Sequence, residues 1–402
     1  MTTVYDASDE IIDQTITIYF KAPKSFTCED IIEFQCHGGS VVANMILDEV
    51  IKNGARLANA GEFSKRAFLN GRIDLTEAEA IAKLIETKSI DGAKILSRQL
   101  KGELKEYMDS LRDSLVEILA FVEVNIDYAE EDLPEDIEDM IFSKLNDLKN
   151  TLKRTVDISR QREGLLDGFK ISIVGKPNVG KSSLLNSLLN YNRAIISDIA
   201  GTTRDTIEEE VKIGTHLIRI VDTAGIREDT LDMIEKIGIQ RSIEAIEQSD
   251  IVLALFDNSM PYDLNDEKIV NILNGYRDSK KIIVILNKVD LQNRFDISKI
   301  EDFDYIKVSC KIDTKKVIDK IKEYLDTQTL DNDVMLVSKR QIDAVSDALK
   351  AIEESKENLQ NKELELFAYA INEAIEKISS VTRRFERDEI LDKMFGSFCL
   401  GK

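Results

Sequence analysis

The stretch Gly175-Lys-Pro-Asn-Val-Gly180-Lys181-Ser182 has the pattern G-x-x-x-x-G-K-S. It follows the apolar run FKISIV and precedes SSLLNSLLN, whose leucines recur at helical spacing. That is the setting a phosphate-binding loop needs. Glycines let successive backbone N–H groups curl around a polyphosphate, the helix N-terminus adds a favourable dipole, and Lys181 reaches the terminal phosphates. Asn178, Val179, Gly180 and Ser183 complete the nucleotide-facing stretch, and the Ser182 hydroxyl can ligate Mg²⁺. Asp222-Thr-Ala-Gly225 closes a second apolar run, HLIRIV, 41 residues after Lys181. An acid there can hold Mg²⁺ through water, and the Gly225 N–H can approach a γ-phosphate. Asn287-Lys288-Val289-Asp290 closes a third, KIIVIL. The Asp290 carboxylate can accept from N1 and N2 of guanine. Adenine offers no such pair of donors, so the expected nucleotide is GTP or GDP. Ser309-Cys310-Lys311, after YIKV, fits a last guanine-side loop.

In this order the motifs resemble the translation-factor-related class of P-loop GTPases. Gly201-Thr-Thr-Arg-Asp205 lies where a switch loop carries the threonine that senses the γ-phosphate and Mg²⁺. Thr203 is the first choice for the metal contact and Thr202 the second. A Ras-type GTPase would place a water-orienting glutamine directly after Gly225. Here that residue is Ile226, so hydrolysis needs another base and another positive charge. Arg227, Glu228, Asp229, Asp232 and Glu235 follow, and chemistry alone does not choose among these carboxylates.

The elements that must hold these loops are legible in the pattern. From Phe169 to about Leu325 the runs FKISIVG, HLIRIVD, DIVLALFD, KIIVILN and YIKVS alternate with polar or helical sequence. Such alternation implies a mostly parallel sheet covered on both faces. Helical, charged sequence flanks it on both sides, and Thr76 with Glu79 reads as a capping box. ILSRQLKGELKEYMDSLRDSLVEILAFVEVNI keeps a helical period, and AEEDLPEDIED (129–139) reads as a solvated turn. QTITIYFKAP (14–23) reads as a strand, and DIIEFQCHGG (30–39) is a second short apolar stretch ending in two glycines, ahead of helical spacing that stops at Gly54. The expected fold is multidomain: a small α+β N-terminal domain (1–70), an all-α helical domain in two segments (71–165 and 331–402), and an inserted α/β P-loop domain (166–330) with a mostly parallel sheet.

Composition narrows the setting. The 402 residues include 54 Lys plus Arg and 75 Asp plus Glu, a net charge of −21. That charge argues against broad phosphate-driven nucleic-acid binding, although a local groove or a basic partner could serve. Hydrophobic residues make up 43%, enough for real cores, and no apolar run reaches the 18 residues of a membrane span. Four cysteines make no disulfide scaffold, and the expected compartment is the cytoplasm.

FTCEDIIEFQCHGG (26–39), GEFSKRAFLNGRIDLTEAEAIAKLI (61–85), GKPNVGKSSLLN (175–186), SDIAGTTRD (197–205), DTAGIRE (222–228) and the terminal FCLGK (398–402) carry a closer likeness. They resemble the MnmE (TrmE) family of tRNA-modification GTPases. The resemblance implies a folate-binding N-terminal domain, homodimerisation, and partnership with an FAD protein of the MnmG type. It also implies modification of C5 of the wobble uridine in certain tRNAs, with a tetrahydrofolate derivative as one-carbon source. It implies activation by K⁺, held by Asn178, the Ser197 and Ile199 carbonyls and Thr202, in the role of an arginine finger. Glu235 would orient water, Arg227 would be a switch residue, and Cys399 would lie near the tRNA chemistry. Glu29 and Arg66 would be folate-side residues. The family usually begins with a further β-rich stretch, so the N-terminal domain is expected to be partial. Cys28 stands where the family commonly has glycine. The competing expectation is a regulatory or ribosome-assembly GTPase that acts by binding alone. A dynamin-like membrane GTPase is a third, and no membrane-binding segment supports it.

Overall fold

The computed structural model describes residues 1–128, 135–191, 209–221, 243–328 and 333–382. They divide into two compact units: 1–86, 96–156 and 334–402 in the first, 87–95 and 157–333 in the second.

The first unit opens with an antiparallel sheet in the order β1 (Thr2–Tyr5), β2 (Ile11–Phe20), β3 (Ile31–Gln35). The short β1 had no pattern to announce it; it pairs Thr2 with Thr15 and bulges at Tyr5. Three helices follow: α1 (Ser40–Lys52), α2 (Glu62–Leu69) and α3 (Leu75–Glu86). Helix α4 (Ile90–Gln99) begins in the second unit and ends in the first. The long helical stretch then breaks at 100–102, and α5 runs Glu103–Tyr128. Helix α6 (Glu135–Gln161) takes up the last residues of the acidic segment 129–139, which the sequence reading had placed wholly in a turn.

Helix α5 buries Leu104, Met108, Leu111, Leu115, Ile118 and Val122, a stripe of three- and four-residue steps. That stripe meets Ile141, Leu145, Leu148 and Leu152 of α6 in one core. The same core takes Val345 and Ile352 of α11 (Lys339–Gln360) and Phe367, Ile371 and Ile378 of α12 (Leu364–Thr382). Each such buried side chain contributes about 1.5–3 kcal/mol, so the faces of four helices are committed to one another.

The cap of α3 is not the one expected. The helix starts at Leu75, one residue before Thr76, which makes Asp74 the capping residue. Asp74 Oδ1 accepts from Glu77 N (2.9 Å), and Glu77 Oε2 accepts from Asp74 N (2.7 Å). Glu79 instead faces inward. It accepts from Arg340 Nε (2.7 Å), Arg340 Nη2 (2.9 Å) and Gln341 Nε2 (2.6 Å). Arg340 also donates to the Ser380 and Val381 carbonyls at the end of α12.

The second unit is built on a six-stranded sheet in the order β5 (Glu209–Ile213), β6 (His216–Ile220), β4 (Phe169–Gly175), β7 (Ile251–Asp257), β8 (Lys281–Asn287), β9 (Tyr305–Lys307). All pairings are parallel except β5 with β6, an edge hairpin whose first strand the apolar runs did not reveal. Every residue of β7 is buried, as a central strand covered on both faces requires. Leu253 and Leu255 join the core under α8 (Lys181–Tyr191) and α10 (Lys315–Thr327). Val252, Ala254 and Phe256 alternate to the opposite face, under Leu273 of α9 (Leu264–Tyr276). Gly164–Asp167 forms a single turn, α7, before β4. Strand β4 lies between β6 and β7, so the strand order reverses there. A crevice opens at the carboxyl ends of strands at such a point, which is where open α/β sheets bind ligands.

A candidate GTP-binding site

The loop between β4 and α8 rises at that switch point. Two of its glycines are fixed by contact. A Cβ on Gly175 (φ +153) would lie 2.6 Å from the Leu255 carbonyl oxygen, and one on Gly180 (φ +110) would lie 2.2 Å from Asn287 Nδ2. Only a bare backbone fits, and a bare backbone is what a phosphate can approach. Lys181 Nζ donates to Gly175 O (3.0 Å) and Lys176 O (2.9 Å), so the ammonium spans the turn. Ser182 is half-buried in the first turn of α8, and Ser183 beside it is exposed. Asn178 holds φ +64, a left-handed conformation that asparagine adopts more readily than other non-glycine residues.

Asn287, at the end of β8, ties three loops together. Its Nδ2 donates to Val179 O (2.7 Å) and its Oδ1 accepts from Cys310 N (2.8 Å). It is 3% exposed, so both bonds are made away from water. Lys288, at φ +62, donates to Asn178 O (2.8 Å) and to Asp257 Oδ2 (2.6 Å). Asp290 is exposed beyond them, free of the sheet's packing. Ser309 and Cys310 are both buried. Burial pushes the Cys310 thiol up to about 11, so it stays protonated, and the residue's polar contribution is its backbone N–H.

Four charged residues at this site carried no signal in the sequence reading. Asp257 ends β7, where an acid after an apolar run looks like an ordinary strand exit. Its Oδ1 accepts from Ser259 N (2.9 Å) and Ser259 Oγ (2.6 Å). Burial works against its charge, and the hydrogen bonds from Lys288 and Ser259 outweigh that, holding the carboxyl below its usual range. Lys176, the second residue of the loop, donates to Asp263 Oδ2 (2.8 Å) and Asp266 Oδ2 (2.7 Å) at the start of α9. Burial disfavours the Lys176 ammonium, but the two carboxylates prevail and raise its pKa. Asp263 and Asp266 cap α9 reciprocally. The spacing D-x-x-D ahead of a helical run could have announced that cap, though not its lysine partner.

Asp222, Gly225, Ser197, Ile199, Thr202, Thr203, Arg227, Glu235 and Cys399 lie outside the described residues. Asn287 and Lys288 join the phosphate loop and the base-side loops that sequence proposed into one cluster at the carboxyl ends of the strands. The donor set of these loops fits a nucleotide with its magnesium: backbone left bare at Gly175 and Gly180, one ammonium, one hydroxyl at the helix start, and an exposed carboxylate at the base end.

Comparison with known proteins decides the family. Residues 75–399 match the family described as the MnmE helical domain, and residues 1–72 match the GTP-binding protein TrmE N-terminus. The chain is 58% identical over 402 residues to a tRNA modification GTPase MnmE of Sulfurimonas denitrificans, covering all of this chain and 90% of that one. It is 58% identical to the protein of that name from Aliarcobacter butzleri and 60% to that from Nitratiruptor sp., each across all of this chain and 89% of the relative. The chain belongs to the MnmE family of tRNA modification GTPases. Membership makes it an enzyme that hydrolyses GTP, and it implies binding of GTP or GDP with Mg²⁺.

An MnmE-family chain also brings its N-terminal residues into question. Glu29 and Arg66 are partners: Arg66 Nη1 donates to Glu29 Oε2 (2.9 Å). Arg66 also binds Glu62, which pairs with Arg56 through both oxygens. The hydrogen bond from Arg66 is the largest influence on Glu29 and holds its carboxyl below the ordinary value. Cys28 keeps φ +61, a left-handed conformation that a glycine would adopt without a Cβ penalty. No helix among the described residues is long and apolar enough to cross a membrane.

Proposed function

We propose that this chain is a potassium-activated GTPase whose cycle drives C5 modification of the wobble uridine of certain tRNAs. It would act as a homodimer with an FAD-containing partner of the MnmG type, in the cytoplasm. The observation that carries the reading is Asn178, held left-handed at the rim of the phosphate loop by Lys288 on its carbonyl. A side chain fixed there is available to a ligand beside the nucleotide, and Ile226 leaves the site without a water-orienting glutamine. Potassium, when bound, supplies the positive charge that an arginine finger supplies elsewhere. Asn178, Ser197, Ile199 and Thr202 would hold it. Ser182 and Thr203 would bind Mg²⁺, with Asp222 and Gly225 toward the γ-phosphate. Glu235 would orient the attacking water, Arg227 would act in the switch, and Asp290 would read guanine. Cys399 would serve the tRNA chemistry.

The paired Glu29 and Arg66 support a polar subsite for a tetrahydrofolate derivative, with pterin and glutamate groups as its natural partners. The domain boundaries at about residues 70, 165 and 330 belong to the same reading. The test is GTP hydrolysis in KCl and in NaCl at equal ionic strength and several protein concentrations. Large stimulation by K⁺ that grows with protein concentration is the expected result. Equal, slow rates in both salts would leave a plain MgGTP switch.

A further inference from the structure

Lys288 stands between two loops, and something must decide where its ammonium rests. Left to itself, a lysine whose side chain is about one-third exposed would turn its ammonium to water. Asp257 prevents this. The aspartate is the residue paired with Asn287 across β7 and β8, so its carboxylate starts from the level of the sheet from which the base loop departs. Ser259 holds one carboxylate oxygen twice, through its N–H and its hydroxyl, leaving the other for Lys288. Asn258 N donates to Asn287 O (2.9 Å), which extends the ladder past the strand ends and stiffens both exits.

The far end of this chain of contacts is Asn178 O. Asparagine tolerates the left-handed region better than other side chains but still populates several conformations, so the Lys288 bond to its carbonyl selects this one. We propose that Asp257 is a positioning residue: through Lys288 it fixes the backbone of Asn178, and so sets, from the base-reading side, how the phosphate loop responds to its activating cation. The inference rests on the potassium reading above. It adds that the cation response depends on a carboxylate belonging to neither the phosphate loop nor the switch segments.

Asp257→Asn keeps the shape, removes the charge, and sets an amide against the ammonium. Two readouts are followed against KCl in the full-length chain: GTP hydrolysis, and the capture of fluorescent GDP with aluminium fluoride. In D257N the KCl concentration for half-maximal response rises about threefold or more in both. The preference for K⁺ over Na⁺ narrows. A merely structural role would lower the folded fraction and the maximal signal without moving either midpoint. Unchanged midpoints in folded D257N, beside a K⁺-responsive wild type, overturn the role of Asp257 alone. A wild type indifferent to K⁺ in both readouts overturns the potassium reading, and this inference with it. Should D257N not fold, Ser259→Ala carries the same test. It frees the carboxylate from its hydroxyl anchor while keeping its charge. A raised midpoint supports the proposal and an unchanged one overturns it.

Discussion

Replacing Asn287 by alanine removes a knot from three loops at once. The substitution leaves Val179 O and Cys310 N without the partners they have at 2.7 and 2.8 Å. Both residues are buried, so each group loses a hydrogen bond with little water to replace it. A buried polar group left unsatisfied costs about 1–3 kcal/mol, so the pair amounts to about 2–6 kcal/mol if neither is refilled. A water admitted into the space of the lost amide would bring the cost to the lower end. The penalty falls on the arrangement that binds nucleotide, because the two orphaned groups belong to the phosphate loop and the last base-side loop. At 1.4 kcal/mol per decade, GDP affinity drops by roughly 30-fold to 10⁴-fold. Fluorescent GDP titration measures it, with melting curves in parallel to establish that the protein is folded. A folded N287A that binds GDP within threefold of wild type would refute the view that this side chain ties the loops together.

Three other substitutions test separate features. Cys28→Gly relieves a left-handed cysteine and raises stability by about 0.5–1 kcal/mol, after allowing for the freer unfolded chain; differential scanning calorimetry shows an upward shift. Glu79→Ala removes the carboxylate paired with the Arg340 guanidinium, which keeps the Ser380 and Val381 carbonyls, and destabilises the first unit by about 3–5 kcal/mol, whereas replacing Glu79 and Arg340 together by Leu and Met costs less; urea melts compare the two. Because burial raises the Cys310 thiol from 9.0 to about 11, its neutral form stabilises the fold fully below pH 9. As pH rises from 9 to 11 the unfolded chain ionises first, so stability falls across that window, and Cys310→Ala flattens the fall in pH-dependent melts.

The sequence disclosed what is local and concealed what is paired at a distance. Gly175 to Ser182 announces a strand, a turn and a helix within one window, and the structure has β4, the loop and α8 there. The runs that became β7 and β8 were readable because central parallel strands are apolar throughout. Asp257 was not readable, because its partner Lys288 lies 31 residues away and an acid after a strand is commonplace. Glu79 misled for a related reason. Its spacing from Thr76 imitates a capping box, while its actual partner, Arg340, is 261 residues off. Cys310 was readable only as part of a guanine-side loop; that its backbone N–H bonds Asn287, while burial among apolar residues keeps its thiol protonated, depends on a partner 23 residues away.

The shared core of α5, α6, α11 and α12 also sets an order of events at the ribosome. Residues 157–333 are made after α5 and most of α6 and before α11 begins. At about 5–20 residues per second, that interval lasts roughly 10–35 s. Throughout it, the stripe from Leu104 to Val122 is without the α11 and α12 faces that cover it in the finished protein, and by its end the nucleotide-binding sheet has all its strands. The emerging chain therefore acquires a GTP site before it can close its helical core. The half-made core is the segment a nascent-chain chaperone would be expected to hold, and GTP is available to steady the completed sheet in the meantime.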